Sequence, residues 1–130
     1  NFANYDPLAT GPDDSVGTVT VTCNHVSSGA TRVNYRVTIA NGTNGTSPTT
    51  RQLGSASARL GYNVFANPAR SQVWGTGTGG TVIASGSMTI GPGVGNGTRT
   101  MTHPVYGRIP QLQDAVPGAY NDTLLVTLTY

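Results

Sequence analysis

The side chains able to do acid–base, nucleophilic or metal chemistry are few: Cys23, His25, His103 and five aspartates, Asp6, Asp13, Asp14, Asp114 and Asp122. A metal site needs several such groups at ligand spacing, and the two histidines form neither an H-x-x-H nor an H-x-H pattern. Cys23 closes the run Val19-Thr-Val-Thr-Cys23, and neither histidine makes a recognisable nucleophile pattern with it. It reads either as an apolar thiol buried in a strand or as half of a disulfide whose partner lies upstream of Asn1. A glycosidase pair would have to come from the aspartates, and the adjacent Asp13 and Asp14 splay apart in a strand or a loop. No G-x-S-x-G elbow supports a serine triad. Gly75-Thr-Gly-Thr-Gly-Gly80 matches G-x-G-x-x-G, but a dinucleotide site needs a helix opening there and an acid about 20 residues later. The next residues are instead the strand-like Thr81-Val-Ile-Ala84, and no acid lies between Asp14 and Asp114. It is a loop. With no set of residues in complementary roles, the chain is expected to be no enzyme and to hold no cofactor or metal.

The elements that position these residues are strands. The 130 residues are enough for one domain with a real core, and no linker or internal repeat divides 1–130. There is no Lys and no Glu, both good helix formers, while Thr and Val favour strands and Gly and Asn favour turns. The balance says all-β. Gly17–Cys23 alternates cleanly, and Val33–Ile39 sets Val33, Tyr35, Val37 and Ile39 against Asn34, Arg36 and Thr38. Leu60–Phe65 and Val73–Trp74 are shorter runs, while Val82–Ile90 and Thr98–Val105 flank a glycine-rich turn at Gly91–Gly97. Asn41–Thr46 reads as a polar loop in which Asn-Gly supplies positive φ. Trp74 and the tyrosines are expected in the core. Sequons at Asn41, Asn44, Asn96 and Asn121 are read as turn residues rather than glycan sites.

Asn121–Tyr130 alternates apolar and hydroxyl side chains. Leu124, Val126, Leu128 and Tyr130 point one way, and Thr123, Leu125, Thr127 and Thr129 the other. It carries no Pro or Lys to blunt an edge, so it is either central in its sheet or leaves an open side for another chain's strand. The net charge of +2 reflects few acids, and the seven arginines are scattered, without the clustering that nucleic-acid or membrane binding needs. No stretch approaches the roughly 20 apolar residues of a membrane helix, so no membrane insertion is expected. Lacking an initiator Met and a signal peptide, the chain is expected to be processed or trimmed before Asn1.

Tyr5-Asp-Pro7, Val19–Cys23, Val73-Trp-Gly-Thr-Gly-Thr-Gly-Gly80, Val105-Tyr-Gly-Arg-Ile-Pro110 and Val116-Pro-Gly-Ala-Tyr-Asn-Asp-Thr123 occur in order along nearly the whole chain. Together they resemble the spore coat protein U domain, shared with subunits of archaic (Csu-type) chaperone–usher pili. The resemblance implies an incomplete immunoglobulin-like sandwich, completed by a donor strand from another subunit. It implies an acceptor groove lined by Leu124, Val126, Leu128 and Tyr130, and a disulfide from Cys23 to a cysteine upstream of Asn1. The donor segment, too, would lie before Asn1. Identical neighbouring subunits, a periplasmic chaperone and an outer-membrane usher are the implied partners. A cell-surface filament, exported through the periplasm and serving adhesion and biofilm formation, is the implied setting. A spore-coat protein, a tip adhesin and a carbohydrate-binding module are the alternatives. The loops Asn41–Thr50 and Gly91–Gly97 are polar or glycine-rich, which favours the shaft over the tip.

Overall fold

The structure, a computed structural model, describes residues 1–24, 29–91 and 97–130. Among the described residues eight strands succeed one another: β1 (Asp13–Asn24), β2 (Thr31–Ile39), β3 (Gln52–Ser55), β4 (Ala58–Gly61), β5 (Asn63–Phe65), β6 (Ala84–Ile90), β7 (Thr98–Ile109) and β8 (Val126–Thr129). They pair antiparallel into three sheets, in the orders β1-β7-β5, β6-β2-β8 and β3-β4. No helix occurs among the described residues.

The Val/Thr alternation of β1 and the alternation of Thr with Arg, Met and His in β7 sustain a twelve-residue ladder, from Asp13 opposite Ile109 to Asn24 opposite Thr98. Period two sends Thr18, Thr20 and Thr22 outward, where Thr22 and Thr100 share a 3.2 Å hydroxyl contact, and sends Val19, Val21 and Cys23 inward. Pro104 sits in β7 above the short β5, which reaches only Tyr106–Arg108 and so leaves a flank of β7 unpaired there. The two larger sheets stack face to face around one core. Val21, Val64 and Ile109 come from one, and Tyr35, Val37, Ile39, Met88 and Ile90 from the other, with Leu60, Tyr62 and Trp74 closing one end. Trp74 is buried, its indole Nε1 donating to the carbonyl of Val37 at 2.9 Å. Gly75–Gly80 is a loop, with positive φ at Gly77, Gly79 and Gly80.

Several elements differ from the sequence reading. The run Leu60–Phe65 divides between β4 and β5 at Tyr62. Gln52–Ser55 pairs with β4 as β3, although Gln-Leu-Gly-Ser lacks β-branched alternation. Val73 and Trp74 make single bridges, not a strand. The last strand is shorter than Asn121–Tyr130, because Asn121 bridges to Gly54 and Asp122 bonds to Thr43 instead of extending β8. In the Asn41–Thr46 loop Gly42 has the expected positive φ of 83°, but Gly45 does not. Gly45 is required instead by close approach, since a Cβ there would lie 2.7 Å from the carbonyl oxygen of Thr50. Residues 92–96 of the glycine-rich turn, with Asn96, and His25 lie outside the described residues.

Candidate functional site

β8 stands at the edge of its sheet, beside β2 on one flank and, among the described residues, with no strand on the other. Its register sets Val126 opposite Ile39 and Leu128 opposite Val37, so Val126 and Leu128 share the inward face of the two core residues. Exposure nevertheless differs sharply. Val37 and Ile39 are 1% and 2% exposed, while Leu128 and Val126 are 41% and 43% exposed. The facing layer stops short of β8.

The backbone is open on the same side. Ala40 N donates to Leu125 O at 3.0 Å, so alternation turns the N–H and C=O groups of Thr127 and Thr129 toward β2 and those of Val126 and Leu128 away from it. β8 also covers only part of β2. It pairs with Arg36–Ile39, whereas β6 on the other flank pairs with Thr31–Val37.

Next to the start of β8 lies a cavity of about 910 Å³, which does not reach Val126 or Leu128. Leu124, Tyr120, Leu53, Leu60, Tyr62 and Ile109 line it, together with the start of the chain. Phe2 enters between the sheets, packing edge-on against Tyr62 at 6.0 Å and filling the place a side chain on Gly107 would take. Tyr5 anchors this segment through its hydroxyl, which donates to Pro110 O at 3.0 Å and accepts from Gln113 N at 2.8 Å.

The rim is fixed by Asp122. Its Oδ1 accepts from Thr43 N at 2.9 Å, Thr43 Oγ1 at 2.8 Å and Thr123 N at 2.9 Å, and its Oδ2 accepts from the Tyr62 hydroxyl at 2.8 Å. Burial pushes this carboxyl up, but the converging donors outweigh it and hold it below the ordinary carboxylate value. Tyr62 is driven well above its usual value, by burial first and then by the neighbouring carboxylate. This knot, and the bridge between Asn121 and Gly54, take residues 121–123 out of the terminal strand. Asn44 Nδ2 donates to Asn121 O at 3.2 Å and Asn41 Nδ2 to Gly45 O at 2.7 Å, so both sequon amides serve the loop.

Beside the knot lies Arg51, buried to 1% exposure without a carboxylate partner. Carbonyls take its place. Nη2 donates to Ile39 O at 2.9 Å, Ala40 O at 2.8 Å and Trp74 O at 2.9 Å, and Nη1 donates to Asn63 Oδ1 at 2.7 Å. Burial lowers its pKa from the usual guanidinium value. Arg51 and Asp122 gave no sequence signal, since their partners lie far away along the chain.

Of the residues singled out from sequence, Leu124 lines the cavity, and Val126 and Leu128 form the exposed inward face above it. Tyr130 is apart from them, 90% exposed beyond the end of β8. Cys23 is a free, half-buried thiol packed against the core. His103 lies between the sheets, its Nε2 within 2.8 Å of the Tyr35 hydroxyl and its ring edge-on to Trp74. Asp14 pairs with Arg108 at 2.7 Å and Arg70 at 3.2 Å, while Asp13 takes the opposite face of β1. Among the described residues no three His, Cys, Asp or Glu side chains converge as metal ligands, and no helix is long and apolar enough to cross a membrane.

Residues 1–127 match the Spore Coat Protein U domain. Protein U of Myxococcus xanthus is 30% identical over 136 aligned positions, which span 100% of this chain and 70% of that protein. A similar solved structure is the CsuC-CsuE chaperone-tip adhesion subunit pre-assembly complex from archaic chaperone-usher Csu pili of Acinetobacter baumannii. There the identity is 18% and the TM-score 0.49, covering 92% of this chain and 40% of that one. With a family match over residues 1–127 and a relative 30% identical across this chain, the chain belongs to the Spore Coat Protein U domain family.

Proposed function

We propose that this domain is a structural subunit of a bacterial surface filament, assembled by donor-strand exchange between identical subunits. The carrying observation is the inward face of β8. Val126 and Leu128 are over 40% exposed although their cross-strand partners are core residues. A strand laid along the open flank of β8 would pair with the outward N–H and C=O groups of Val126 and Leu128. Its alternate side chains would cover Val126 and Leu128 and descend into the cavity at Leu124. Leu124, Val126 and Leu128 are the acceptor residues in this reading, with Tyr130 at the upper end.

A donor segment of about ten residues burying roughly 500–800 Å² of apolar surface gains roughly 12–20 kcal/mol gross. Ordering costs reduce this, yet release would mean reopening a core, so the assembly is kinetically locked. In this account a periplasmic chaperone fills the flank first, an usher exports the subunit, and the filament serves adhesion and biofilm formation. The donor segment and a cysteine pairing with Cys23 belong to chain upstream of Asn1. A spore-coat assembly is the second reading, favoured by the family's description and by the likeness to Protein U.

Charge on the two faces of β8 tests the filament reading. Val126→Asp puts a carboxyl where the donor's apolar side chain must sit, and burying it there without a partner costs several kcal/mol even when it takes up a proton. Thr127→Asp, one residue on, faces outward. Electron microscopy of filaments, alongside the folded fraction held by chaperone, is expected to show assembly lost in Val126→Asp and retained in Thr127→Asp. Equal filament yields from the two variants contradict the assigned face.

A further inference from the structure

The arginines look scattered along the chain, but two of them meet on one face. Arg32 and Arg36 are four residues apart in β2, so period two sets both on the outer face of the β6-β2-β8 sheet, about 13 Å apart at roughly 3.3 Å per residue. Between and beside them lies a shallow depression of about 610 Å³. Its walls are Asn34, Arg36, Ser85, Ser87 and Thr129, with Tyr130 at the rim. Tyr35 turns its ring inward to His103 and Gly86 has no side chain, so the floor is backbone.

Charge on this face is one-sided. None of the five aspartates belongs to the sheet. Arg36 stands across from Ser85 on one flank and Thr129 on the other, and it makes no ion pair among the described residues. Arg32 donates from its Nε to Ser87 Oγ at 2.8 Å. The Arg36 side chain therefore lines a floor ringed by neutral amide and hydroxyl groups, with Arg32 held next to it at Ser87 and the exposed Tyr130 ring alongside.

We propose that this face binds an acidic polysaccharide, through carboxylates carried on its sugar rings. Guanidinium groups take carboxylates with two parallel hydrogen bonds. Two such groups along one strand suit neighbouring acidic groups of one extended chain. Asn34, Ser85 and Thr129 both donate and accept, as the hydroxyls of a sugar require, and Tyr130 offers a flat apolar face. A nucleic acid is a poorer fit, since its dense phosphates call for more cations than two. Apart from Tyr130, the polar side chains of the site lie on the sheet's outer face, so they are independent of whether the open flank of β8 accepts a strand.

A short oligogalacturonate is the probe, titrated calorimetrically into the folded full chain, with neutral oligogalactose and a sulfated dextran oligomer as comparisons. Saturable binding of the oligogalacturonate alone is expected. Arg36→Gln is expected to weaken it about tenfold or more. Ser85→Asp, which sets a carboxylate across from Arg36, is expected to abolish binding, with unchanged circular dichroism showing that both variants fold. Arg59→Gln, on β4, is expected to leave affinity unchanged. No saturable binding, equal affinity for the neutral oligomer, or unchanged affinity in folded Arg36→Gln overturns the site. Equal affinity for the sulfated oligomer overturns the assignment to carboxylates.

Discussion

Val37 and Ile39 on β2 face the same way as Leu128 and Val126 on β8, one strand apart in one sheet, yet the first pair is sealed and the second is half in solvent. Residue type is alike in the two pairs, so it does not explain the difference. The facing layer does. Above β2 lie the core residues of the opposite sheet and the Trp74 ring, whereas the inward face of β8 is open to solvent, with the cavity at Leu124 next to its start. A β-sheet residue is buried by what covers it, and β8 lacks its cover.

The closed side should be intolerant of change and the open side tolerant of it, which can be tested strand by strand. The largest effect belongs to Arg51. Replacing it by Met leaves the carbonyls of Ile39, Ala40 and Trp74 without their donor, and urea unfolding is expected to show a loss of about 3–5 kcal/mol. A loss under about 1 kcal/mol would mean that water or backbone shifts replace the guanidinium. Next comes the direct contrast. Ile39→Ala is expected to cost about 2–5 kcal/mol, and Val126→Ala, at its cross-strand partner, less than about 1 kcal/mol in the isolated chain. Equal costs would break the comparison, because they would make the inward face of β8 part of a finished core.

A smaller effect reports on the rim. Asp122 has its carboxyl held below the ordinary 3.8, burial being outweighed by donors from Thr43, Tyr62 and Thr123. A depressed folded-state value means that the stabilisation is present above the unfolded value and is lost as pH falls through the folded one. Stability should therefore fall below about pH 3.8. Asp122→Asn is expected to lower neutral-pH stability by about 1–2 kcal/mol and to shrink this acid loss. Asp14, held low chiefly by its hydrogen bond from Arg108, keeps a remainder of the loss in the variant. An unchanged acid limb would show that the knot does not secure the rim.

The same contrast explains what the sequence disclosed. β1, β2, β6 and β7 carry Thr/Val or Ser/Met/Ile alternation, and a two-residue period is a local property, so they were legible. β3 was not, because Gln52–Ser55 is a strand only through its hairpin with β4. Arg51 reads as a surface residue by type, and only folding brings the carbonyls of residues 39, 40 and 74 around it. Asp122 finds Thr43 across 79 positions, a pairing no local window contains. That knot shortened the expected terminal strand, whereas the alternation from Leu124 to Leu128 survived because β2 fixes the register. The face shared by Arg32 and Arg36 was present in the spacing, but a count of scattered arginines hides what strand periodicity reveals.

The flank of β8 itself carries the account, and amide hydrogen exchange reads it most directly. The amides of Thr127 and Thr129 point toward β2, while those of Val126 and Leu128 point to the open flank. In the isolated folded chain, Thr127 and Thr129 are expected to be protected and Val126 and Leu128 to exchange nearly freely. In assembled filaments all four should be protected, with the new protection confined to Val126 and Leu128 within β8. Exchange at Val126 and Leu128 that is already slow in the isolated chain, or that stays fast after assembly, would contradict the account.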